Sequence, residues 1–163
     1  MPVFAAGLTL AAFTLLVLQV PYGLLVGGSA ANAVAWVTVS AVVILLVTLT
    51  AGAVVAWLGH RISSEWDDRK ATTLFFALGF VGVGIWSFMV LGSLLSTATG
   101  DPTTATSGIA LASVLYLAVA GGLSAAVGRY FARDAADRPL LVVVLGVSVA
   151  LCAVLGGMAL GSA

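Results

Sequence analysis

Charge is scarce in this chain: six acidic and six basic residues among 163, and a formal net charge of zero at pH 7. Soluble domains carry about 25% charged residues, whereas here the share is 7%. The few cations rule out the many phosphate-neutralising contacts that nucleic-acid binding needs, so no nucleic acid is expected as a partner. A single histidine and a single cysteine exclude haem held by a histidine pair, zinc and iron–sulfur ligation, and an internal disulfide. No cofactor and no metal are expected. Cys152 reads as a small packing residue. His60 and Cys152 belong near opposite faces of the molecule, so a Cys/His catalytic arrangement is not expected to form.

The charges that do occur avoid five long stretches, approximately Val3–Gly28, Ala31–Gly59, Ala71–Ala98, Ser107–Gly128 and Leu140–Gly161, and the histidine avoids them too. Ion-driven transporters and proton relays place ionisable side chains inside the membrane, and nothing here could play that part. Each stretch exceeds the roughly 20 apolar residues that a hydrocarbon core about 30 Å thick requires. With 62% hydrophobic residues and a mean hydropathy of +1.23, a soluble fold is not competitive. Backbone in lipid must satisfy its own hydrogen bonds, and the stretches are too long and too uniform for barrel strands. The expected fold class is therefore all-α: a polytopic integral membrane protein with five transmembrane helices forming one domain over residues 1–163. Its longest connection, Arg61–Lys70, leaves no room for a soluble catalytic domain.

The first stretch leads into Ser29-Ala30-Ala31-Asn32-Ala33, which looks like a signal-peptide cleavage site. It lacks a preceding Lys or Arg, however, and is longer than the about 7–15 residues of a signal core, so it is expected to stay as the first span. His60, Arg61, Arg69 and Lys70 flank the second connection and Arg129, Arg133 and Arg138 the fourth, while the first and third carry no Lys or Arg. The basic connections should be cytoplasmic. That places the N-terminus inside, the C-terminus outside, and Asp101 with Thr103, Thr104 and Thr106 in an external loop of a cell-membrane protein. The bias towards Ala, Val, Gly and Arg over Lys suggests a high-G+C prokaryotic source.

An offset of 69 residues aligns Ala51-Gly52 with Ala120-Gly121, Ala56 with Ala125, Gly59 with Gly128, Asp68-Arg69 with Asp137-Arg138 and Gly92-Ser93 with Gly161-Ser162. Helices two and three would then be a parallel tandem repeat of helices four and five. Small residues at four-residue spacing recur: Gly7 and Ala11; Thr48, Gly52 and Ala56; Ala120, Ser124 and Gly128; Ala153, Gly157 and Gly161. Such rows let helix backbones approach closely, within one bundle or between subunits. Trp36, Trp57, Tyr130 and Phe131 sit where interfacial anchors belong. Trp66, between charged residues, is expected to dip into the headgroup layer, with docking on a partner as the alternative.

The most unusual span is the first, where Gln19, Pro21 and Tyr22 interrupt the apolar run. Proline removes one helical hydrogen bond and kinks the helix, leaving a carbonyl near Val17 in need of a partner, which Gln19 or a neighbouring helix could supply. A buried amide costs several kcal/mol in hydrocarbon, so Gln19 should point into the bundle. The candidate ligand-binding residues are Gln19, Tyr22, Trp86 and Ser87, joined by Ser113 or Tyr116, in a polar pocket or a contact for a quinone-like or lipid head group. The alternative is a helix-to-helix hydrogen bond with a kink. Thr38, Ser40, Thr48 and Thr50, with Ser113 and Ser124, could line a polar path, although hydroxyls in membrane helices usually bond their own backbone carbonyls. Gly79, Gly82 and Gly84 leave room for a ring or for close packing. The carboxylates of Glu65, Asp67, Asp68, Asp134 and Asp137 alternate with cations and should form surface ion pairs.

The expected function is that of a non-enzymatic accessory subunit, packing in the bilayer against other transmembrane chains of a respiratory, secretory or transport complex. The runner-up is a small homo-oligomeric channel or carrier for a neutral or weakly polar solute.

Overall fold

The computed structural model describes residues 2–27, 29–63, 65–99 and 108–161. The described chain is all-helical: α1 (Val3–Gly27), α2 (Ala30–Val47), a π-helical turn (Thr48–Gly52), α3 (Ala53–Ile62), α4 (Asp68–Thr99), α5 (Gly108–Ala136) and α6 (Pro139–Gly161). Because α2, the π-turn and α3 run on continuously, these make five helices long and apolar enough to cross a membrane. The expected external loop around Asp101 lies outside the described residues.

Helix ends follow local chemistry. Ser29, extended at φ −146° and ψ 155°, accepts the Asn32 amide in its side chain and caps α2. The Ser29–Ala33 segment, cleavage-like in sequence, is thus a helix start. Pro139 occupies the first position of α6, where its missing N–H has no helical partner to lose. The fourth span runs past Gly128 to Ala136. Charge marks where the apolar face stops, not where the backbone stops being helical, and Arg129 and Arg133 lie one turn apart on the same face.

Helix α1 is the centre. It packs against α5, α2 and α6, while α4 packs chiefly on α5 and α6 chiefly on α2. The main core joins Ala12, Leu15 and Leu16 of α1 to Ala41 and Ile44 of α2, Ala120 of α5 and Val149 of α6, with Cys152 packed at its edge. A smaller cluster at the basic end joins Ala6 to Ala135, Ala136 and Val142.

Small residues set the closest approaches. A Cβ added at Gly7 would lie 3.0 Å from the Gly128 carbonyl oxygen, and one added at Gly79 would lie 2.6 Å from that of Gly121. Two of the expected rows, those of Gly7 and Gly128, thus meet each other between α1 and α5, and a second close approach joins α4 to α5.

The second span divides at its π-turn. Before it, α2 packs on α1 and α6; after it, α3 turns to α4. Thr50 Oγ1 donates to the Leu46 carbonyl (2.7 Å) beside the extra residue, a common way of meeting backbone demand at a π-bulge. The proposed repeat partner of this turn, Leu117–Gly121, is ordinary α-helix. The environments differ as well, Gly59 facing Phe75 and Gly128 facing Gly7. The structure does not supply the correspondence that the 69-residue offset suggested.

Candidate functional site

At the end of the bundle away from the arginines, α1, α2 and α5 bring five polar or aromatic side chains together. Gln19 is buried to 2% exposure. Its Oε1 accepts a hydrogen bond from Trp36 Nε1 at 3.2 Å. Tyr22, also buried, donates its hydroxyl proton to Ser113 Oγ at 2.8 Å. The Tyr22 ring lies 5.3 Å from that of Trp36, tilted by 48°, and 5.1 Å from that of Tyr116, stacked at 27°. The Tyr116 hydroxyl donates to the Leu18 carbonyl.

The proline explains the last contact. Pro21 sits inside α1, where its ring pushes against the preceding turn and loosens the local carbonyl ladder. A neighbouring helix supplies a donor to a carbonyl near Val17, that of Leu18. Gly23 lets α2 come close, since an added Cβ would meet Ala33 Cα and Trp36 Cδ1, both at 3.2 Å.

Gln19 and Tyr22 are thus brought together with Ser113 and Tyr116. Trp86 and Ser87 lie on α4, and Ser87 is buried. The contacts described around Gln19 and Tyr22 come from α1, α2 and α5. Trp36, an expected interfacial anchor, is the direct partner of Gln19. The signal that finds it is hairpin symmetry: Gln19 and Trp36 stand at similar distances from the facing ends of α1, at Gly27, and α2, at Ala30, and successive antiparallel helices set such positions side by side.

The hydroxyls of the supposed polar path mostly turn to their own helices. Thr38 bonds the Val34 and Ala35 carbonyls, Ser40 that of Val37 and Ser124 that of Ala120. Among the described residues no buried side-chain nitrogen or oxygen lacks a hydrogen-bond partner. The Gln19 group therefore behaves as a polar clamp of three helices. Interhelical hydrogen bonds in membrane proteins contribute about 0.6 kcal/mol on average and about 1.7 at most. A double-mutant cycle on Gln19→Leu and Trp36→Phe, followed by reversible unfolding in mixed micelles, is expected to give a coupling within that range. Strict additivity would show that the bond contributes nothing.

The opposite end holds the charges. Asp68, in the first turn of α4, takes Arg129 Nη2 at 3.1 Å and Arg133 Nη1 at 3.6 Å. One carboxylate serves two guanidiniums, which confirms surface ion pairing for this residue and leaves a local positive excess. Arg61 lies over the Trp57 ring, 5.5 Å from its centroid. Trp66 is about half exposed. Among the described residues no three His, Cys, Asp or Glu side chains gather into a possible metal site.

Comparison with protein-family models, curated proteins and solved structures finds no match. The fold and side chains therefore define the class themselves: an all-helical protein with five helices long and apolar enough to span a membrane, clamped by hydrogen bonds at one end and charged at the other.

Proposed function

We propose that the protein is a non-enzymatic subunit of the cell membrane, with its arginine-rich end cytoplasmic, that packs against other transmembrane chains in a larger respiratory, secretory or transport assembly. The observation that carries this proposal is the place of α1. It occupies the middle of the bundle against α5, α2 and α6, where a pore through one chain would have to run. The outer helices present apolar faces, such as Val147, Leu151, Leu155 and Met158 on α6, each at least half exposed. On the same helix a Cβ at Gly157 would meet nothing within 4 Å, so a backbone from elsewhere has room to approach. The homo-oligomeric channel or carrier has less support, because most of its candidate lining hydroxyls bond their own helices.

Photo-crosslinking residues placed singly at Val147, Leu151 and Leu155 in native membranes test the proposal. Because these positions recur along one face, all three should yield a protein adduct of the same mass. Lipid adducts alone at every position would overturn it.

A further inference from the structure

We propose that the parting of the second span forms a binding groove for one acyl chain of an anionic phospholipid, whose head group is held by Arg129 and Arg133. Where α3 leaves α1 for α4, a crevice of about 400 Å³ opens between α1, the second span, α4 and α5. That volume falls in the range of about 300–1,000 Å³ typical of ligand sites. Its deep end is marked by Leu15, Val47 and Val83, its shallow end by His60, Arg129 and Arg133.

Shape identifies the occupant. Along α1 the crevice wall runs from Pro2 to Leu15, about 20 Å at 1.5 Å per residue. The wall between these ends is apolar, with Leu8, Val55 and Leu78 along it, and a single flexible hydrocarbon chain suits a long apolar crevice with a charged mouth. The length also exceeds half of a hydrocarbon core about 30 Å thick, so a chain entering from the basic end would be taken up over a whole leaflet.

Charge identifies the head group. Arg129 is largely covered, with 19% of its side chain exposed, whereas Arg133 is 70% exposed. Both share the single carboxylate of Asp68, so the pair keeps an unneutralised positive charge. His60 adds a ring nitrogen to the same mouth. A phosphodiester accepts paired N–H donors from a guanidinium fork, and basic pockets between transmembrane helices are known seats for anionic head groups. A neutral lipid would gain the groove but not the charge. A free phosphate would gain the charge but not the groove.

The test uses the full chain in nanodiscs with equal mole fractions of phosphatidylglycerol and phosphatidylcholine of matched chains, released into native mass spectrometry. The wild type is expected to retain one lipid, with phosphatidylglycerol favoured at least fivefold. Gly82→Leu adds bulk to the wall, and its Cβ would rest in ordinary contact, 3.7 Å from Val55 Cγ2. It should abolish retention of both lipids while the thermal transition in detergent stays in place. Arg133→Gln should keep retention and lose the preference. Equal retention of the two lipids by the wild type, no retention at all, or unchanged retention in Gly82→Leu would each overturn the proposal. So would displacement by millimolar inorganic phosphate as complete as that by phosphatidylglycerol. None of these outcomes depends on whether α6 contacts another protein.

Discussion

Gly156→Leu is expected to detach α6 from α2 and destabilise the chain by about 3 kcal/mol or more, whereas Gly157→Leu, one residue later, leaves it folded. At Gly156 a Cβ would run into the Thr38 carbonyl, passing 2.5 Å from Thr38 C and 3.0 Å from Val39 N. These neighbours are backbone atoms inside a hydrogen-bonded helix, so no rotamer change relieves the clash. The helices must separate, and α6 has few other attachments, chiefly to α1. At Gly157 the same atom would meet nothing within 4 Å. Reversible unfolding in mixed micelles distinguishes the two. A Gly156→Leu variant with unchanged stability would show that the α2 to α6 crossing is not as close as described.

Much of this architecture was legible from a single physical constraint. Lipid tolerates neither charge nor open backbone, so the spacing of ionisable residues marked the five helices. It placed their ends less well. The fourth span continues past Gly128 because arginines at helical spacing can lie along one face without breaking the backbone pattern. Gln19, Pro21 and Tyr22 stood out because polarity within an apolar run demands a partner, and the structure supplies one in Trp36. That partner was obscured because a tryptophan near a helix end is equally well explained as an interfacial anchor. Helix order was not legible at all, since uniformly apolar helices have no polar face to say which side looks inward. Nor was the π-turn at Thr48–Gly52. Its sequence is that of an ordinary membrane helix, and the parting it accompanies appears only once α1 and α4 are in place on either side of α5.

Gly121→Ala is expected to cost about 2 kcal/mol, within the usual range for an overfilled core, and to be partly rescued from the other side of the seam. The added methyl would lie 2.5 Å from both Cβ and Cγ2 of Val83, and 3.0 Å from the Gly79 carbonyl oxygen. The worst neighbours belong to a side chain, so Val83→Gly removes them. Alone, Val83→Gly leaves a void and should destabilise by roughly 1–3 kcal/mol. In combination the methyl of one helix takes space vacated by the other, and the double variant should cost clearly less than the two singles added together. Gly128→Ala provides the contrast. Its methyl would lie 2.6 Å from the Gly7 carbonyl oxygen and 3.0 Å from Ala11 Cβ, so the nearest obstacle is backbone that no substitution can remove. Ala11→Gly should therefore rescue Gly128→Ala poorly, whereas Val83→Gly rescues Gly121→Ala. Equal rescue in both cycles would mean that α5 shifts freely against its neighbours, and the tight crossings of α1 and α4 on α5 could not then be what positions the groove between them.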